Sequence, residues 1–227
     1  MSNQNGFVAG TLVHTDQGLV PIQELKIGDR VLSRAENDPD APNEYKCVTK
    51  VMSFEDSTII QLPYLQESSP ELINIIYLSD CNLVWLEENK RWVTAIDLVT
   101  SNKLTVINNE DSTYVWKPSE VTKLISKNGE IYGYCNGIIE DLKYGNSLLK
   151  FENGELFTCN VDDIRHSEDK YIDNLKKIEL KNNNNMDEKG FEVARIGQTK
   201  FRIPVHNLEV DDFQTYFVGE LGVWVHQ

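Results

Sequence analysis

The chain has 227 residues, 40% of them hydrophobic and 26% charged, enough to bury a core as one large domain or two small ones. Its formal charge is −14 and it carries no basic stripe with interleaved aromatics, which argues against nucleic acid as a partner. Mean hydropathy is −0.41, no apolar run is long enough to cross a bilayer, and the opening MSNQNGFVAG has no basic or apolar signal region; as it stands the chain is expected to stay inside the cell.

Helical periodicity is poor throughout. Short β-rich runs separated by turn residues follow one another: TLVHT from Thr11, RVLS from Arg30, EYKCVTKVMSFEDS from Glu44 and TIIQLPYL from Thr58. LINIIYL, RWVTA and KLTVI continue the series to Ile107, and TYFVGELGVWV ends at Val225. Such spacing predicts an all-β fold of many short strands. Asn153-Gly154, between apolar flanks, is a hairpin turn, since both residues tolerate the positive φ of a type I′ turn. Asp16-Gln17-Gly18 is a turn of the same kind with a longer loop.

Residues 108–193 are less patterned than either end and read as an insertion or small β-rich subdomain. Within it KKIELKNNNNMDEKG, residues 176–190, is an exposed or disordered loop. The remaining residues, 6–107 and 194–227, form one discontinuous domain. That domain repeats itself: VPIQELKIGDRVL from Val20 matches VTAIDLVTSNKLT from Val93, with Asp97 answering to Glu24 and Leu98 to Leu25. Each copy reads as a strand, a short helical turn, a polar reversal at Gly28-Asp29 or Ser101-Asn102, and a second strand. A supersecondary unit duplicated about a pseudo-twofold axis accounts for the match.

Cys47, Cys81, Cys135 and Cys159 have no zinc-knuckle spacing and read as reduced, mostly buried thiols. His14 and His206 read as surface or packing histidines. His166 lies in the acidic run DDIRHSED; a metal site of His166, Asp162 and Asp163 has no supporting spacing. Asn5-Gly6 is prone to deamidation, because glycine leaves the asparagine unhindered.

GFVAGTLVHTDQGLVPIQELKIGDRVLS at one end and VHNLEVDDFQTYFVGELGVWVHQ at the other resemble the two ends of Hint domains, the hedgehog/intein family of self-processing proteins. The resemblance is nearest to the Hint modules of bacterial polymorphic toxins and covers residues 6–107 and 199–227. It implies a horseshoe-shaped all-β fold with the first and last strands side by side. It also implies autocatalytic cleavage of the peptide bond before the domain and, in inteins, of the bond after it. The partner is then the chain's own flanking polypeptide, and no cofactor or metal is implied.

In that family a first Cys or Ser attacks the preceding carbonyl. An internal Thr-x-x-His polarises the bond and protonates the leaving amine, and a penultimate His assists cyclisation of a final Asn. Here Gly6 stands at the nucleophile's position. Leu78 and Cys81 fall on the Thr and His; a one-residue slip would offer Ser79 and Asn82 but would turn both side chains to the other face. Asp212 matches a family acid, Gln214 replaces a common His, and His226 is retained. Gln227 keeps an amide but would close a six-membered glutarimide, more slowly than Asn closes a succinimide.

The resemblance therefore implies a self-processing domain with a degenerate site, silent or limited to slow C-terminal cleavage through His226 and Gln227. A non-catalytic scaffold that binds a protein partner, with the strand from Glu44 and the insertion as surfaces, is the alternative. A trapped Cys-to-Gly form of an active domain is a third reading, but it accounts for Gly6 alone and not for Cys81, Gln214 and Gln227.

Overall fold

The protein is described here from a computed structural model, which covers residues 4–126, 129–135, 147–160, 191–192 and 199–227. His166, Asp162, Asp163 and the 176–190 loop lie outside these residues. Two compact units are present: Met1–Pro118 with Ile203–Gln227, and Ser119–Arg202. The architecture is all-β, and among the described residues the only helices are two 3-10 turns, Ile22–Glu24 and Ala95–Asp97.

The first unit opens with β1 (Leu12–Thr15), β2 (Gly18–Pro21), β3 (Arg30–Ser33), β4 (Glu44–Gln66) and β5 (Ser69–Ser79). It continues with β6 (Leu83–Leu86), β7 (Arg91–Thr94), β8 (Lys103–Leu104) and β9 (Thr113–Val115). The second unit holds β10 (Ser119–Glu120), β11 (Thr122–Ser126), β12 (Ile131–Cys135), β13 (Ser147–Glu152), β14 (Glu155–Asn160) and β15 (Phe191–Glu192). After β16 (Arg202–Val210), the first unit is completed by β17 (Thr215–Val218) and β18 (Val223–His226).

The first unit includes β9, which pairs with both β8 and β4. EYKCVTKVMSFEDS and TIIQLPYL, two strands by their pattern, form the single 23-residue β4. Its first half is mostly exposed and its second buried, so the change of environment imitates a strand boundary. Cys47 lies in that exposed half, Cys81 is half-buried and Cys135 is buried.

In the second unit, β11 to β15 form an antiparallel sheet in the order β14-β13-β12-β11-β15. Its β13–β14 hairpin turns at Asn153-Gly154, with φ of 54° and 85°, as a type I′ turn requires. By contrast, the β1–β2 hairpin reverses at Asp16-Gln17 and only Gly18 has positive φ, at 105°.

The internal repeat is a structural one. β1 and β2 pair as β6 and β7 do, and each pair runs into a 3-10 turn and then into β3 or β8. The polar reversals agree bond for bond. Asp29 Oδ2 accepts from Lys26 N at 2.8 Å, as Asn102 Oδ1 does from Val99 N at 2.8 Å. Gly28 and Ser101 both take positive φ, 97° and 74°. The β17–β18 hairpin lies between the copies, pairing with β1 through Val13–Val218 and with β6 through Val84–Val225. The two copies thus contribute equally to one core containing Val13, Val31, Val84, Leu104, Val218 and Val225.

Phe7 is fully buried, in antiparallel bridges with Leu78 of β5 and His206 of β16. Truncating so well-buried an aromatic costs about 3–5 kcal/mol, so this residue anchors the N-terminal segment.

Candidate active site

The segment around Phe7 is held on both sides by main-chain bonds. Phe7 N donates to His206 O at 2.8 Å and His206 N to Phe7 O at 2.7 Å. On the other side Val8 N donates to Tyr77 O at 3.0 Å and Ser79 N to Gly6 O at 2.8 Å. Gly6 is therefore a buried residue between β5 and β16. A Cβ on Gly6 would lie 2.6 Å from His206 O and 3.1 Å from Val205 Cγ2. Position 6 therefore has no room for a side chain.

The peptide bond between Asn5 and Gly6 is gripped at both ends. Gly6 N donates to Ser79 Oγ at 3.1 Å, and Asn207 Nδ2 donates to Asn5 O at 3.2 Å. Asn207 is buried, and its orientation is set by two donors to its oxygen: Leu208 N at 2.8 Å and Tyr216 OH at 2.6 Å. Complete burial pushes the Tyr216 phenol well above its ordinary pKa, so it stays protonated and donates. One Asn207 carboxamide thus connects the β17 tyrosine to the carbonyl of residue 5.

Ser79 donates onward to Asn82 Oδ1 at 3.4 Å, and Cys81 Sγ lies 3.6 Å from Ser79 Oγ. Asn82 is fully buried, and its Nδ2 has no hydrogen-bond partner among the described residues. Leu78 points away from this cluster into the core. Ser79 and Asn82 converge on one side because β5 ends at Ser79 and a turn follows, closed by Asn82 N donating to Ser79 O at 3.1 Å. Strand alternation, which would part them, no longer applies there. Asp80 faces elsewhere and accepts from Thr58 Oγ1 at 2.8 Å.

The other chain end comes to the same strand. Gln227 N donates to Gln214 O at 3.0 Å, and Val210 N donates to Gln227 Oε1 at 2.5 Å. Val210 follows Asn207 by three positions on β16, so the two chain ends are served by points about 10 Å apart on it. His226 Nδ1 lies 2.9 Å from Gln227 O, and its Nε2 lies 2.7 Å from Glu36 Oε2. Both nitrogens face oxygens, so the ring links the Gln227 carbonyl to the Glu36 carboxylate. Trp92 closes on the ring edge-to-face, with centroids 5.2 Å apart, beside the buried Trp85–Trp224 pair.

Glu36 is carried by the loop after β3. Arg34 holds that loop down by donating to Asn43 Oδ1 and Pro39 O, each at 2.9 Å, while its guanidinium lies 5.2 Å from the Trp224 ring centre.

Two other expected site residues have different surroundings. Asp212 is exposed and pairs with Lys46 at 3.6 Å. Gln214 is exposed and contributes its main-chain carbonyl to Gln227. His14 Nε2 bonds Gly219 O at 2.9 Å, and burial lowers the pKa of both His14 and His206. Among the described residues no cluster of three metal-ligating side chains occurs. Sequence reasoning did not single out Asn207 or Glu36, whose importance lies wholly in what they touch across long stretches of chain.

No protein-family model matches the chain, and no curated protein matches it. Solved structures do. The protein resembles the solution structure of a bacterial intein-like domain from Clostridium thermocellum, with a TM-score of 0.52 and 19% identity over 98% of each chain. It also resembles the crystal structure of the MchDnaB-1 intein, with a TM-score of 0.50 and 10% identity over 97% of this chain and 99% of that one. At such identities the likeness is one of fold, and the fold is the intein-like Hint fold.

Proposed function

We propose that this intein-like chain is a self-processing domain whose acyl-shift step is closed at Gly6 and whose remaining family-type reaction is slow cleavage after Gln227. Its substrate is the polypeptide that flanks it. The observation that carries this reading is His226, which spans the Glu36 carboxylate and the Gln227 carbonyl oxygen. An N–H donated from Nδ1 there stabilises negative charge developing on that oxygen when the Gln227 amide nitrogen attacks the carbonyl carbon. The nitrogen of the next residue leaves, and a glutarimide closes on Gln227. The Val210 bond to Gln227 Oε1 restrains the side chain near the reaction.

At the other end, Gly6 supplies no side chain, and the space for one is taken by the His206 carbonyl. That steric fact speaks against a trapped form in which glycine merely replaces a reactive cysteine. The test is a reporter fused after Gln227 and another before Met1. The C-terminal reporter is released slowly, leaving a domain one water lighter than its free acid, and added thiol frees nothing at the N-terminal side. Full retention of the C-terminal reporter over several days would leave the scaffold reading in its place.

A further inference from the structure

The grip on the bond between Asn5 and Gly6 has no purpose in the chemistry proposed above. Asn207 polarises its carbonyl, Ser79 meets its nitrogen, and residue 6 has no nucleophile. A nucleophile is nevertheless present on the other side of the bond. The Asn5 carboxamide is half-buried and has no hydrogen-bond partner among the described residues. We propose that the bond between Asn5 and Gly6 is a self-cleavage site in which the Asn5 side-chain nitrogen is the nucleophile.

Asn5 Nδ2 attacks the backbone carbonyl carbon of Asn5, closing a five-membered ring. The bond from that carbon to Gly6 N breaks. One proton lost by Nδ2 ends on Gly6 N, which leaves as a free amine. The products are a fragment ending in an aminosuccinimide at Asn5 and a domain beginning at Gly6; water later opens the imide. Atoms and electrons balance without any co-reactant.

Each step has a residue in place. The Asn207 amide supports the oxyanion, and its own oxygen is held by Tyr216 and Leu208, so it needs no rearrangement as charge develops. Ser79 Oγ, 3.1 Å from Gly6 N and bonded onward to Asn82, is the group that carries the proton to the leaving nitrogen. Glycine at position 6 keeps the leaving amine close against β16, where a side chain would strike the His206 carbonyl.

The competing reaction of an Asn-Gly pair is deamidation, in which Gly6 N attacks the Asn5 side chain. It requires Gly6 to rotate. Here Gly6 N and O are both bonded to Ser79, and the next residue is bridged on two sides. The fold therefore suppresses deamidation at Asn5 and leaves cleavage open. This inference does not depend on the reaction at Gln227, and either stands if the other fails.

The experiment is incubation of the purified full chain, followed by intact mass and N-terminal sequencing. The expected products are a chain beginning at Gly6 and a Met1–Asn5 peptide one water lighter than its free acid, trapped as a hydroxamate by hydroxylamine. Asn5→Ala, in the N-terminal segment outside the core, abolishes the cut. Asn207→Asp keeps both acceptor bonds but removes the donor to Asn5 O, and Ser79→Ala removes the proton carrier; each slows the cut about 10-fold or more. Folding of both variants is checked by urea midpoint. The proposal is overturned by an intact chain after days of incubation, by the same rate in urea-unfolded chain, by cutting that persists in Asn5→Ala, or by isoaspartate at Asn5 without cleavage.

Discussion

Glu36 Oε2 lies 2.7 Å from His226 Nε2, joining a loop near the start of the chain to its penultimate residue. The carboxylate fixes the ring so that Nδ1 faces the Gln227 carbonyl. In a fusion carrying a reporter after Gln227, His226→Ala slows release about 100-fold, the usual cost of losing one oxyanion donor. Glu36→Gln, which keeps a contact but removes the charge, slows it about 10-fold. Gln227→Asn, which permits the five-membered ring, speeds it. Gel densitometry over a time course measures all three, and equal rates for wild type and His226→Ala would remove the histidine from the reaction.

Placing a cysteine at position 6 does not start an acyl shift. A Cβ 2.6 Å from the His206 carbonyl oxygen meets backbone, not a side chain that can swing away. Gly6→Cys and Gly6→Ala both lower stability, by about 1–3 kcal/mol as overpacked cores do. Urea denaturation reads this as a lower midpoint at unchanged slope. Thiol-dependent release of an N-terminal reporter from Gly6→Cys would show that the site opens to accept the side chain.

Tyr216→Phe leaves the buried Asn207 oxygen with one donor instead of two. The expected loss is about 1–3 kcal/mol, and the Asn207 amide becomes free to flip away from Asn5. Protection of the His206 and Phe7 amides against hydrogen exchange falls with it, since both lie next to the residues that carboxamide joins.

Stability falls in mild acid. Burial holds the pKa of His14 and His206 below their ordinary value in the folded chain. A depressed folded pKa means that the unfolded chain binds the proton first. The contribution is complete above an ordinary histidine pKa of about 6.5 and is lost as pH drops through the folded values. Urea midpoints therefore decline from about pH 7 toward pH 5, and His14→Gln with His206→Gln flattens that part of the profile. A profile unchanged by the double substitution would assign the decline to other groups.

The duplicated unit was legible in the sequence because each copy carries its own turn chemistry: Asp29 and Asn102 make the same local bond three residues back. The all-β class followed from short strands with turn residues between them. The site was harder to read. The β6–β7 hairpin turns through Glu87–Lys90 where β1–β2 turns through Asp16-Gln17, so a match made downstream of the hairpin does not carry its register upstream. Whether Leu78 or Ser79 faces Gly6 depends on where β5 stops, and a strand end is set by tertiary pairing as much as by local sequence. Asn207 and Glu36 act across most of the chain's length, a relation that no local pattern contains.

Phe7 closes against residue 78 on one side and residue 206 on the other. During synthesis the second of these partners appears about 200 residues after Phe7. At ordinary elongation rates of about 5–20 residues per second, roughly 10–40 seconds separate the emergence of Asn5 from that of Asn207. The segment around Phe7 therefore waits undocked, and the grip on the Asn5 carbonyl cannot form before β16 is made. A chain that cuts itself at that bond thus carries a built-in delay: it becomes competent only after Asn207 has been made.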